Sequence, residues 1–415
     1  MALIKPFKGL RPPQQFAAEV AAPPYDVLNR EEALALVEGN PRSFLHINKP
    51  EIDLDSSIDA HDPRVYQKGA ENLRRFIQEG MLQQDSTDNF YVYKQVMGDH
   101  HQVGLVAAAS VDEYEHDLIK KHEFTRPDKE NDRVEHMLHL NAQVGPVFLS
   151  YRADKTIDKI ISNIILESPE YDFTSADGIR HIFWIVNNAN DVDALQQAFQ
   201  KVPCLYVADG HHRSAAAMRV KQFKQAENAA HSGEESYNYF LTVIFPHNQM
   251  NILDYNRVVK DLNGLSEREF LGRVSEKFTV SAVTEHQSGK PETAHCFGMY
   301  LGGSWYRLQA LAEFWEESDP VQRLDVSILQ NNLLAPILAI DNPRTDTRID
   351  FVGGIRGMKE LEKRVDSGNW QVAFALFPTS IDNLMAIADA GEVMPPKSTW
   401  FEPKLKSGLV THILD

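Results

Sequence analysis

Residues 207–220 read VADGHHRSAAAMRV, and the order of residue types in them decides the fold. An apolar, β-branched run ends in an acid and a glycine, and an alanine-rich run of helical character follows at once. That order marks a strand turning sharply into a helix. Gly210 supplies the backbone freedom for the turn. The first N–H groups of the helix have no partner within it, so this end seeks an anion. His211, His212 and Arg213 add side-chain donors and a fixed cation, and Arg213 can grip a phosphate through two parallel bonds. Cations at the positive end of a helix dipole are unfavourable by about 0.3–1 kcal/mol each, which a bound anion would offset. Two other readings stay open at this point: a solvated turn capped by Asp209, and a metal site. The metal reading meets an obstacle, because adjacent histidines diverge by roughly 100° around a helix and seldom aim at one ion.

Outward from this turn, strands and helices alternate irregularly. NREEALALVEG (29–39) offers an N-cap, early acids and a terminal glycine. Residues 64–84 place Tyr66, Ala70, Leu73, Ile77 and Met81 at helical spacing. FYVYKQVM (90–97) and VGLVAAASV (103–111) read as a hairpin turning at Gly98 to His101. A helix over 131–144, strands in VGPVFLSYR and HIFWIVN, and a helix in DKTIDKIISNIIL follow. A second region is expected from about residue 240, with strands FLTVIF and NILDYNRVV, a helix in SEREFLGRVSEKF and a hairpin turning at Gly302 and Gly303. Beyond it come DFVGGI, a helix, the strand WQVAFALF, a helix in SIDNLMAIADAG and a Pro-punctuated loop over 392–408. The fold class is α+β, with domains expected at 1–245 and 246–415.

The 415 residues suffice for two domains, since domains commonly run to roughly 100–200 residues. A content of 43% hydrophobic and 24% charged residues is that of an ordinary globular chain. A net charge of -17 with no Lys/Arg-rich run argues against DNA as a partner, because neutralising a phosphate backbone needs a basic face. Cys204 and Cys296 stand far apart without CxxC spacing, which supports neither a disulfide framework nor a cysteine-rich zinc site. No signal-like h-region and no apolar run of about 18 residues occurs, so a cytoplasmic protein away from membranes is expected.

Two further clusters carry chemistry. In KKHEFTRPDKENDR (120–133), His122 and Glu123 begin like HExxH, but Arg126 stands where the second histidine belongs, so the zinc-protease reading fails. A carboxylate among cations remains. Glu123 suits a general base on a hydroxyl, an effect worth about 10²–10⁴ in rate, while Lys121, Arg126 and Arg133 suit phosphates; a charged surface loop is the alternative. His136 and His139, three apart on a helix, are expected on a solvated face. In PPKST (395–399), Lys397, Ser398 and Thr399 suit phosphate or Mg²⁺-phosphate contacts, but the glycine spacing of a Walker loop is missing. The sequence contains no GxxxxGK[ST], GxGxxG or GxSxG, and VGGIRGMK reads as a turn.

In order along the chain, KKHE (120–123), VADGHHR (207–213) and GEVMPPKST (391–399) resemble the KPHE, VDGHHR and GEVxxPKTT of the archaeal free serine kinases of the ParB/sulfiredoxin-like superfamily. The whole chain, from KPFKGLRPP through PYDV and NPRSFLHI to MPPKSTWFEPKL, also looks like a widespread bacterial family of similar length known as a domain of unknown function. The kinase resemblance covers roughly residues 118–410. It implies a ParB/sulfiredoxin-like N-terminal domain, a second α+β domain contributing the PPKST loop, and phosphate transfer from ATP or ADP, with Mg²⁺, to the hydroxyl of serine or a related metabolite. Glu123, with His122 beside it, falls on the catalytic base. Asp209, Gly210, His211, His212 and Arg213 fall on the phosphate turn, and Lys397, Ser398 and Thr399 on the third motif. Tyr255, Arg257 and Arg133 are assigned to the substrate; Tyr255 stands in NILDYNRVV, where the serine kinases carry a tryptophan. No protein metal site is implied. Sulfiredoxins have their catalytic cysteine at the position of His211, so that activity is not expected. Two competing functions share the turn: a ParB-like nucleotide switch or assembly protein, and a phosphatase or nucleotide hydrolase.

Overall fold

The computed structural model describes residues 1–284 and 289–414, and the chain divides into two compact units. The first is Met1–Met250 with Pro403–Asp415, the second Asn251–Glu402. Both mix helices with sheet, as the sequence implies.

After short strands and turns, helix α1 (Arg30–Val37) of the first unit starts in a capping box: the Asn29 side chain accepts from Glu32 N at 2.8 Å and the Glu32 carboxylate accepts from Asn29 N at 2.9 Å. Helix α2 (Pro63–Gln78) starts behind Asp62 with Pro at its first position. It ends before Gly80 at φ +71, so residues 79–84, expected to extend it, leave the helix, and Gln83–Gln84 instead pairs with Leu10–Arg11. The apolar spacing misled there because Met81 is buried from a turn rather than from a helix. Strands β1 (Phe90–Met97) and β2 (His100–Ser110) form the expected hairpin, with His100 and His101 inside the second strand. Then follow β3 (Ile119–Lys120), α3 (Pro127–Leu140), β4 (Val147–Tyr151), α4 (Lys155–Ile164), β5 (Tyr171–Thr174), β6 (Arg180–Val186), α5 (Ala189–Phe199), β7 (Leu205–Asp209), α6 (His211–Glu227) and β8 (Tyr239–Pro246).

These strands form one sheet in the order β3-β7-β4-β8-β2-β1-β6-β5, with Ile4–Lys5 also paired to β2. The β3/β7 and β4/β8 pairs are parallel and the others antiparallel. Strand β8, whose FLTVIF run was expected to open the second region, lies inside this sheet between β4 and β2. It is buried along its whole length, and a strand apolar at nearly every position needs cover on both faces. One core gathers Val92, Leu105, Leu149 and Val207 of the sheet with Ile157 of α4 and Phe199 of α5. A second joins Phe44, Phe76 and Leu140. Fully burying side chains of this size contributes about 1.5–3 kcal/mol each.

The chain beyond Glu402 departs from the expected division, which kept 246–415 together. Pro403–Asp415 belongs to the first unit, where His412–Ile413 pairs with Ala142–Gln143, Thr411 bridges to Leu10 and Ser407 to Ala22. Leu405, Leu409, Val410 and Leu414 are buried there, an apolar content that a solvated loop would leave in water.

The second unit holds β9 (Tyr255–Val259), α7 (Glu267–Val274), β10 (Phe278–Ala282), β11 (Cys296–Leu301), β12 (Ser304–Ala310), α8 (Asp325–Leu329), β13 (Ile349–Gly353), α9 (Met358–Asp366), β14 (Val372–Leu376) and α10 (Ile381–Asp389). Its antiparallel sheet runs β10-β12-β11-β14-β9-β13. The β11–β12 hairpin turns at Gly302 and Gly303, at φ +55 and +75. Entry and exit of this unit are themselves paired, Ile252–Leu253 with Trp400–Phe401.

Candidate functional site

Strand pairing brings two of the sequence motifs together. The register Ile119↔Leu205 and Lys120↔Tyr206 runs β3 parallel to β7, so His122 and Glu123, just past Lys121, accompany the end of β7. On its other side β7 pairs with β4 through a register shift between Val207 and Asp209, a bulge of the kind that re-aims side chains beside functional sites. Gly210 follows at φ 101, ψ 29 as the N-cap of α6. The positive φ favours glycine, and a Cβ here would press on the Arg213 guanidinium at 3.2–3.3 Å.

Arg213 is 5% exposed and anchored by one end, Nη1 donating to Pro146 O at 2.5 Å. Its Nη2 lies 3.5 Å from Asp209 and 3.7 Å from Asp26, and its Nε is buried without a hydrogen-bond partner. The Nε–Nη2 edge is the side of a guanidinium that takes a two-oxygen anion. Burial disfavours the Arg213 charge, but Asp26 and Asp209 outweigh it and keep the guanidinium protonated. Burial likewise pushes the Asp209 carboxyl up, and Lys404 at 3.5 Å, Arg213 and His211 overcome this to hold it below the usual carboxylate range.

His122 and His211 are 2% and 5% exposed, with rings edge-on at 4.4 Å. Burial lowers the His122 pKa to about 4 against the raising effect of the Val207 backbone and Asp209. Burial, then His122, pushes His211 well below its ordinary value. Both rings are neutral at pH 7, and each keeps a buried ring nitrogen without a partner, Nδ1 of His122 and Nε2 of His211. His211 therefore brings hydrogen-bonding capacity rather than charge. His212 turns elsewhere, its Nε2 accepting from Arg126 N at 3.0 Å.

Other expected cations have local partners. Arg133 is buried, donates to Asp132 from Nε at 2.8 Å and from Nη2 at 2.5 Å, and lies 3.8 Å over the Tyr25 ring. Lys121 sits over Tyr114 and Arg126 pairs with Asp128 at 2.8 Å. His136, expected on a solvated face, is 2% exposed with Nε2 on Ile47 O at 3.0 Å. That side of α3 packs against α2, so its polar spacing did not mean exposure. Sequence reasoning missed Asp26, Tyr25 and Lys404. The one signal was PPYDV, where paired prolines stiffen the chain immediately before an aromatic and an acid.

The remaining expected residues belong to the second unit and meet one another there. Arg257, 4% exposed, donates from Nη2 to Lys397 O at 3.0 Å, and its guanidinium stands 4.7 Å from the Phe351 ring. Burial lowers its pKa to about 10. Lys397, at φ +58, holds its Nζ over the Tyr255 ring at 5.6 Å. Ser398 Oγ donates to Pro395 O at 2.6 Å, Thr379 Oγ1 donates to Ser398 O at 3.0 Å, and Thr399 is half-buried. Among the described residues no group of three His, Cys, Asp or Glu side chains could hold a metal ion, and no helix is long and apolar enough to cross a membrane.

A family model, that of "Protein of unknown function (DUF1015)", matches residues 4–327. No curated protein matches the chain. Among solved structures it is similar to a free serine kinase in complex with AMP, at 13% identity and TM-score 0.36 over 74% of this chain and 91% of that one. It is also similar to a conserved hypothetical protein from Pyrococcus furiosus, at 12% identity and TM-score 0.33 over 73% and 93%. SbnI with C-terminal truncation from Staphylococcus aureus matches at 12% identity and TM-score 0.37 over 72% and 82%.

Proposed function

The chain belongs to the DUF1015 family, and from that premise we propose that it is a nucleotide-dependent kinase of a small hydroxyl-bearing metabolite, such as free serine or a related amino acid. One observation carries the reading: the Nε–Nη2 edge of Arg213 is buried at the mouth of α6 and has no hydrogen-bond partner at Nε. Leaving such a group unsatisfied costs about 1–3 kcal/mol, and a phosphate supplies the missing acceptors. The ordered resemblance of 120–123, 207–213 and 391–399 to the serine kinases supports the same reading.

In the proposed reaction the acceptor hydroxyl oxygen bonds to the terminal phosphorus of ATP or ADP, the bond from that phosphorus to the leaving nucleotide breaks, and Glu123 takes the hydroxyl proton. Phosphoryl transfer asks mainly for positioning and charge stabilisation. Gly210, the first N–H groups of α6 and Arg213 hold phosphate oxygens. His211 and His122, neutral, act by hydrogen bonding, and His212 and Asp209 position the turn. Arg133 is assigned to the acceptor side. Mg²⁺ is typically bound by one or two carboxylates together with substrate phosphates. Asp26 and Asp209 are both ion-paired with the Arg213 guanidinium, so the ion would enter held by the nucleotide phosphates. When bound, the ion neutralises phosphate charge. The proposal includes a ParB/sulfiredoxin-like first unit and a cytoplasmic setting.

Phosphorus NMR of the full chain with ATP or ADP, Mg²⁺ and a panel of hydroxy amino acids tests this. A phosphorylated acceptor is expected, lost by about 10²-fold or more in Glu123→Gln. Free phosphate alone would make the protein a hydrolase, and binding without turnover a switch. Normal nucleotide affinity in the Arg213→Ala, His211→Ala double variant would remove the phosphate assignment.

A further inference from the structure

The last segment of the chain brings a second cation to the turn. Lys404 lies outside the three motifs, and its backbone is fixed by the sheet. Gln95 of β1 donates from Nε2 to Lys404 O at 2.9 Å, and Gln102, opposite it on β2, donates from Nε2 to Gln95 Oε1 at 2.9 Å. Both glutamines are fully buried. Breaking a bond in a buried amide chain leaves a desolvated polar group behind, so the chain holds the Lys404 carbonyl firmly. Three residues on, Ser407 and Ala22 exchange backbone hydrogen bonds at 2.9 and 3.0 Å. The root of Lys404 is therefore rigid, and its flexible four-carbon stem is what can adjust.

That stem ends at the mouth of α6. Lys404 Nζ and Arg213 Nη2 each stand 3.5 Å from the same atom, Asp209 Oδ2. A well-formed N–H···O bond spans about 2.7–3.2 Å. Lys406, two residues away, makes such a bond, reaching Asp177 at 2.8 Å. One carboxylate oxygen thus keeps two cations at the turn without closing on either, beside the buried and unpartnered Nε of Arg213. An anion at the Nε–Nη2 edge of Arg213 meets two carboxylates, Asp26 and Asp209, which a single guanidinium does not outweigh. A second cation removes that obstacle, and a nucleoside diphosphate has a second phosphate to receive it. We infer that Lys404 is the second phosphate-binding cation of the site, turning from Asp209 to a phosphate oxygen when nucleotide enters. The inference rests on the phosphate reading of the Gly210 turn and narrows it: the ligand class is a nucleoside di- or triphosphate in preference to a monophosphate.

Titration calorimetry of the full chain with ADP and with AMP reads this independently of turnover. The wild type is expected to bind ADP about tenfold or more tighter than AMP, the scale of one charge-assisted hydrogen bond. Lys404→Met removes that preference by weakening ADP while AMP is nearly unchanged, and Lys404→Arg keeps most of it. Lys404→Gln serves if the methionine variant fails to fold. A lysine that merely held Asp209 in place would weaken AMP and ADP alike. Such an equal loss, a preference that survives in the folded variants, or a wild type that binds AMP as tightly as ADP overturns the role of Lys404 and leaves the phosphate reading of Arg213 standing. A wild type that binds neither nucleotide overturns both.

Discussion

Gly210 concentrates the local physics of the site in one position. Its φ of 101 lies where a side chain is strained, and its missing Cβ lets the Arg213 guanidinium lie against the backbone. Gly210→Ala is expected to cost about 1–3 kcal/mol in urea unfolding and to weaken nucleotide binding through displacement of Arg213. A fully stable variant with unchanged affinity would show that the guanidinium does not depend on the bare turn. Arg213 differs from Gly210 in how far sequence could describe it. Its donors and its helix-mouth placement were readable, but its partners Asp26, Pro146 and Asp209 come from three separate stretches of chain.

At the scale of elements, the 207–220 strand-turn-helix and the hairpins at 90–110 and 296–310 were legible because each is specified by residues next to one another. Strand β5 and the pairing of Gln83–Gln84 were not, since their only reason to be extended is a partner strand. The tail is the strongest case. Residues 392–408 read as one Pro-punctuated loop, yet Lys404 meets Asp209 and Lys406 meets Asp177 at 2.8 Å, and His412–Ile413 completes a β-pair with Ala142–Gln143. Ending the chain after Glu402 is therefore expected to raise amide exchange in Leu10–Arg11, Ala142–Gln143 and the Asp209–Arg213 turn, with the sheet of the second unit unchanged. Equal protection with and without the tail would contradict the structural role given to it.

Across the whole molecule the two units are expected to answer pH in opposite directions. Four histidines of the first unit are buried and held neutral, His122 at about 4, His136 and His181 at about 3, and His211 well below its ordinary value, each mainly by burial. The unfolded chain binds those protons first, so stability is full above about pH 6.5 and falls as pH drops toward the folded values. In the second unit burial raises Asp325 to about 7 against the pull of the His295 and Phe377 backbone. Its folded form keeps a proton that the unfolded chain has lost, so this contribution is present below about pH 4 and is lost as pH rises through 7. Calorimetry of Asp325→Asn should show a stabilised second unit at pH 8 and a smaller gain at pH 5, the two differing by about 2–3 kcal/mol. An equal gain at both values would mean the carboxyl is ionised throughout. The chain order of the units has a further effect during synthesis. Residues 251–402 are translated between β8 and the segment that carries Lys404 to Asp209. A ribosome must finish the second unit before the first receives its last segment, so a nascent chain stalled anywhere in that interval leaves Asp209 without Lys404 and Ala142–Gln143 without its β-partner, open to chaperones and proteases.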